Sequence, residues 1–95
     1  MAFLSRMLFN LGRVVATPGA LEALKESGEE AYIYLGRHVT GDWGELSRQD
    51  KAANTLALVT GGRILSSYRT SQGVKLWVIT EADRKSTCLL LPEEY

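Results

Sequence analysis

Ninety-five residues, 45% of them hydrophobic and 23% charged, describe one globular domain with a small core and exclude a disordered tail. Eleven basic residues against eleven acidic ones leave a formal net charge of zero, so the basic excess that marks non-specific nucleic-acid binding is missing, although a local basic face stays open. The single cysteine, Cys88, excludes an internal disulfide and a cysteine-rich zinc site, and the single histidine, His38, excludes a histidine metal cluster. No cofactor or metal is expected. Cys88 lies in an apolar run and reads as a small buried hydrophobe. This cysteine usage fits a reducing compartment, so a cytoplasmic location is expected.

Taken in order, residues 1–16 carry Phe3, Leu4, Met7, Leu8, Leu11, Val14 and Val15 at helical spacing, with Arg6 and Arg13 and no acid before Glu22. The pattern predicts a short amphipathic helix over residues 1–11, docking on the rest of the domain or on a partner. A transit peptide or membrane-surface helix is the alternative. No stretch approaches the roughly 20 apolar residues that cross a bilayer. Arg13–Thr17 is β-branched enough to be extended, joining the sheet as a fourth strand or lying across it. Thr17-Pro18 starts a helix, with a hydroxyl to cap free amides and a proline at the first helical position; it presents Leu21 and Leu24 on one side and ends at Gly28. A second helix runs from about Glu29 to Val39 with Ala31, Ile33, Tyr34 and Leu35 as its apolar surface.

The loop Thr40–Gly44 follows, an Asp42-Trp43 pair flanked by glycines. Ser47 and Asp50 have capping-box form, so a third helix begins near Arg48, turns Ala52, Leu56 and Leu58 inward and stops at Gly61-Gly62. From Arg63 to Leu91 the β-branched and aromatic runs RILSSYRT, VKLWVIT and KSTCLLL read as three strands joined by turns at Ser71–Gly73 and Glu81–Arg84. The expected fold class is α+β: two or three N-terminal helices packed on a three- or four-stranded antiparallel β-meander. Residues 1–95 form one domain, with 1–16 as a possible docking segment.

Candidates for chemistry are few. His38 closes a predicted helix, where a structural or capping role competes with general acid–base work. Trp43 either plugs the core edge or shows a flat surface to a partner. Arg63, Tyr68, Arg69, Thr80, Glu81, Asp83, Arg84, Ser86 and Thr87 come from adjacent strands, which bring distant residues together on one face. Arginine with tyrosine and hydroxyls is adequate for ribonucleolytic cleavage, stabilising a charged phosphorane and moving protons. The same set equally makes a solvated strand surface. Gly61-Gly62 ends a helix and is not a phosphate loop.

Four segments, Val15–Leu24 (VATPGALEAL), Arg37–Gly44 (RHVTGDWG), Gly61–Tyr68 (GGRILSSY) and Trp77–Tyr95 (WVITEADR onward to LLPEEY), resemble a group of small, mostly uncharacterised bacterial proteins. The resemblance covers nearly the whole chain beyond residue 12. Such proteins are often encoded on plasmids and other mobile DNA, under labels such as "plasmid-related protein" or "type I restriction endonuclease subunit M". A methyltransferase subunit needs a cofactor-binding α/β domain and an Asn/Asp-Pro-Pro-aromatic motif, and this sequence has neither. The resemblance brings no catalytic residues. Where relatives often place a second threonine, this chain has Cys88, a change that a structural strand position tolerates. A weaker, fold-level similarity is to the barnase/EndoU/colicin/RelE-like nuclease superfamily, which also sets helices before an antiparallel sheet.

Together these features imply a small non-catalytic accessory protein of mobile-element type, acting through protein or RNA/DNA contacts at Asp42, Trp43, Arg69, Glu81, Asp83 and Arg84, with a homodimer possible. The alternative is a toxin-like, metal-independent ribonuclease using His38, Tyr68, Arg69, Arg84 and Thr87.

Overall fold

The computed structural model describes residues 6–95. Its elements follow the order β1 (Arg13–Ala16), α1 (Pro18–Ser27), α2 (Ala31–Val39), α3 (Arg48–Thr60), β2 (Ile64–Arg69), β3 (Lys75–Thr80), β4 (Ser86–Leu90) and a closing 3-10 turn, Pro92–Glu94. The fold class is α+β, as the order of periodicities implies. β2, β3 and β4 form the expected antiparallel meander, with Ser66 opposite Val78 and Val78 opposite Leu89.

The sheet is mixed, however, and not purely antiparallel. Its strand order is β1-β4-β3-β2, and β1 runs parallel to β4, Val15 beside Cys88. Parallel neighbours need a long crossover, and the whole run from α1 to β3 supplies it. The predicted helix over residues 1–11 is also corrected where it can be seen. Residues 1–5 lie outside the described part, and residues 7–12 hold no helix. Long-range hydrogen bonds take them instead: the Leu8 amide donates to the Val39 carbonyl at 2.9 Å and the Leu11 carbonyl accepts from Thr87 at 2.6 Å. Gly12 then passes so close to Lys85 that a Cβ would stand 2.3 Å from its backbone carbon, at a φ of +65°.

α1 is capped as its sequence predicts, Thr17 accepting from the Ala20 amide and Gly28 closing it in the left-handed region. It buries Ala20, Ala23 and Leu24, while Leu21 turns to solvent. α2 begins at Ala31 and buries Tyr34 and His38, one turn apart. One sheet face, through Tyr68, Leu76, Val78 and Leu89, packs on Ala20, Leu24 and Tyr34. Burying each of the large aliphatic side chains contributes about 1.5–3 kcal/mol. A second cluster joins Trp43, Ala57 and Ile64, with Phe9, Leu46 and Leu58 against it.

α3 is rotated from its expected orientation: Leu58 packs inward against the second cluster as expected, whereas Ala52 and Leu56 do not. Ser47 caps it and Gly61 ends it as predicted, but Asn54 and Ala57 face inward while Ala52, Leu56 and Val59 face water. The cause is one side chain. The Asn54 amide donates to the Leu65 carbonyl at 2.7 Å and its oxygen accepts from the Leu65 N–H at 3.2 Å. Helical residues two apart point about 200° apart, so anchoring Asn54 on the sheet throws Leu56 to the far side.

Candidate functional site

The most organised polar group lies inside the molecule. Ser66 on β2, His38 on α2, Thr80 on β3 and Thr87 on β4 are all fully buried. Their bonds form one chain: Ser66 Oγ to His38 Nδ1 at 2.5 Å, His38 Nε2 to Thr80 Oγ1 at 2.9 Å, Thr80 Oγ1 to Thr87 Oγ1 at 2.7 Å, and Thr87 Oγ1 to the Leu11 carbonyl at 2.6 Å. A carbonyl accepts only, and this fixes the protons as far as the ring: Thr87 donates to Leu11, Thr80 to Thr87, and His38 Nε2–H to Thr80. Burial keeps the imidazole neutral, so Nδ1 is bare and accepts from Ser66. Burial, with the Arg84 charge as a smaller cause, pushes its pKa down to about 4. Phe9 stands edge-on to the ring at 5.1 Å and Trp43 at 6.1 Å, closing it off.

The sequence-predicted residues divide among several places. His38 and Thr87 meet in this chain through Thr80. Tyr68 lies two residues along β2 from Ser66, buried, its hydroxyl donating to the Asp42 carbonyl at 2.7 Å and its ring carrying the Arg37 guanidinium at 4.5 Å. Burial raises the Tyr68 pKa. Arg84 takes a φ of +60°, a turn position that favours glycine. Its guanidinium donates to the carbonyls of Ala57 at 3.0 Å, Gly62 at 2.6 Å and Glu81 at 3.1 Å, tying the end of α3 to the β3–β4 turn. Arg84 thus serves the backbone.

Arg69 is elsewhere. It stands opposite Lys75 at one end of the β2–β3 pair, whereas Arg84 follows Thr80, which stands opposite Ile64 at the other end. Five strand residues separate those ends, roughly 17 Å. Arg69 pairs with Glu45 at 3.2 Å on the surface. The six proposed binding residues do not share a face either. Asp42 pairs with Arg37 at 2.7 Å, which holds its carboxyl below the usual range. Trp43 is buried among Phe9, Ala57 and Ile64. Glu81 and Asp83 are exposed in the β3–β4 turn, where Asp83 accepts from the Lys85 amide at 2.9 Å. The conformation of the Asp42–Gly44 loop has a definite cause. Gly44 forms a parallel bridge to Ser67, and a Cβ there would stand 2.0 Å from the Ser67 oxygen.

Two surface features remain. An open cleft of about 430 Å³ is lined by Glu45, Asp50, Arg63, Lys75 and Trp77 among others, two acids and two bases around an indole. The outward stripe of α3 runs through Arg48, Ala52, Thr55, Leu56 and Val59, with Leu56 62% and Val59 85% exposed. Sequence reasoning passed over Ser66, Asn54 and this stripe. Asn54 carried the available signal, a lone amide between apolar helical residues.

Among the described residues no group of three or more His, Cys, Asp or Glu side chains is placed to share a metal ion. No helix among them is long and apolar enough to cross a membrane. Comparisons with protein-family models, curated proteins and solved structures found no match.

Proposed function

We propose that this is a non-catalytic binding protein, a cytoplasmic accessory factor of the mobile-element kind its sequence resembles, that docks a protein partner along the outward stripe of α3. The observation that carries this reading is the rotated helix. Leu56 and Val59 lie one turn apart in water while a polar Asn54 occupies the buried side. Single exposed apolar residues are ordinary, but a contiguous stripe at helical spacing is the form in which helices meet partners. Covering each of the two side chains would contribute about 1.5–3 kcal/mol to docking. The ribonuclease reading has less support, because the His38 ring has no exposed surface and Arg69 and Arg84 lie at opposite ends of a strand pair.

The test compares tagged wild type with a Leu56→Lys, Val59→Lys double variant as baits in cells that encode the protein. The expected result is one partner retained by wild type and lost by the variant, with both proteins melting at the same temperature. Equal retention by both would remove the α3 site. Cleavage of RNA by purified protein in EDTA would replace the reading with the ribonuclease.

A further inference from the structure

The two edges of the sheet are finished differently. β2 is closed: Asn54 takes both backbone groups of Leu65, the Trp43 carbonyl accepts from the Ser67 amide at 3.0 Å, and the Glu45 amide donates to the Ser67 carbonyl at 2.6 Å. β1 is open. The Arg13 amide donates to the Lys85 carbonyl at 2.9 Å and the Thr17 amide to the Leu89 carbonyl at 3.0 Å. Residues 13, 15 and 17 therefore face β4 with their backbone groups, and strand alternation turns those of Val14 and Ala16 away from the sheet. Among the described residues no strand other than β4 pairs with β1. Val14 and Val15 are 42% and 44% exposed. Unpaired strand edges of this kind are templates for another strand.

Charge indicates which strand fits. Arg13, Val15 and Thr17 share one face of the strand by alternation. Arg13 puts an exposed cation at one end of that face. At the other end the exposed Glu94 carboxylate accepts from the Thr17 hydroxyl at 2.5 Å and the Gly19 amide at 3.0 Å. A strand that is positive at its start and negative at its end complements itself when reversed. We propose that β1 is a pairing edge for a second copy of this chain, antiparallel about a two-fold axis at Val15. Val14 then exchanges both backbone hydrogen bonds with Ala16 of the second copy. Val15 meets Val15 as the close, non-hydrogen-bonded pair, and Arg13 lies beside Thr17 and Glu94 of the other chain. A parallel arrangement would set Arg13 on Arg13 and Glu94 on Glu94. The positive-φ Gly12 ends the pairing window on the N-terminal side and Pro18 on the other, giving an eight-stranded sheet across the axis. This surface is separate from the α3 stripe, on the opposite edge of the sheet.

Sedimentation over a concentration series tests the proposal. Wild type should pass from 10.5 kDa toward twice that mass. Val15→Glu should stay monomeric and melt at the temperature of dilute, monomeric wild type, since the site is exposed and only the dimer would bring two carboxylates together. Val59→Lys should still dimerise. In a Cys88→Ser background, which removes the thiol beside residue 15, Val15→Cys should oxidise to a covalent dimer and Val14→Cys should not. A wild type that stays monomeric throughout, a dimer that survives Val15→Glu, or equal cross-linking from residues 14 and 15 would each overturn it.

Discussion

Two regions of this molecule invert the usual rule in opposite senses. Between α2 and the sheet, four polar side chains occupy sites where a core would ordinarily be aliphatic; on α3, Leu56 and Val59 face the water while an asparagine faces the sheet. The difference lies in satisfaction. Every buried polar atom of the His38 chain has a partner, so its burial is stable and specifies one arrangement of four elements. The α3 stripe has no partner among the described residues. The first region is finished within the chain, and the second invites completion from outside.

The largest expected effect breaks the inner region. His38→Ala leaves a cavity and strands the Ser66 and Thr80 hydroxyls, and should cost about 3–5 kcal/mol by urea unfolding. A smaller loss should follow from acid alone. The folded imidazole has a pKa near 4 against 6.5 in the unfolded chain, so the unfolded state takes up the proton first as pH falls. Stability should be level above about pH 6.5 and decline by about 3 kcal/mol between 6.5 and 4, a slope that His38→Gln abolishes. The lowered carboxyls of Glu29, Asp42 and Glu94 add their own loss only toward the acid end of that window.

Arg84→Ala removes the guanidinium from the carbonyls at the end of α3 while keeping a side chain at positive φ, and should cost about 2–3 kcal/mol in thermal unfolding. Arg84→Gly should cost about 1 kcal/mol less, because glycine relieves the left-handed backbone. Smallest of all, Leu56→Lys with Val59→Lys should change stability by no more than about 0.5 kcal/mol, while removing partner binding. A large destabilisation by that pair would show the stripe to be part of the core and would erase the contrast between the two regions.

Local signals carried the readable part of the fold. Thr17-Pro18, Ser47, Gly28 and Gly61 act within one turn of themselves, so α1 and α3 and their ends are legible; α2 has no side-chain cap, and it begins at Ala31, two residues after its expected start at Glu29. Alternation made the meander legible. The direction of β1 was not, because it depends on where a distant strand lies, and the rotation of α3 was not, because Ala52 with Leu56 offers as good an apolar face as Ala57 with Leu58 until Asn54 finds Leu65. For the site, His38 and Thr87 were visible as chemical types. That they join through Thr80 required the register of β3 on β4, and Ser66 was hidden as an ordinary strand serine. Arg84 looked like a surface cation because its sequence neighbours are polar, whereas two of its carbonyl partners, Gly62 and Ala57, lie more than 20 residues away.

The Leu11 carbonyl is the one group in the buried chain that cannot reverse its role. Every other link can flip, each hydroxyl both giving and taking and the imidazole exchanging its nitrogen-bound proton. Without that terminal acceptor the two orientations of the chain would become nearly degenerate. Removing the segment through Leu11 would therefore convert a single, static imidazole into one interconverting between tautomers, and the ring nitrogens would give averaged resonances in place of one bare and one protonated.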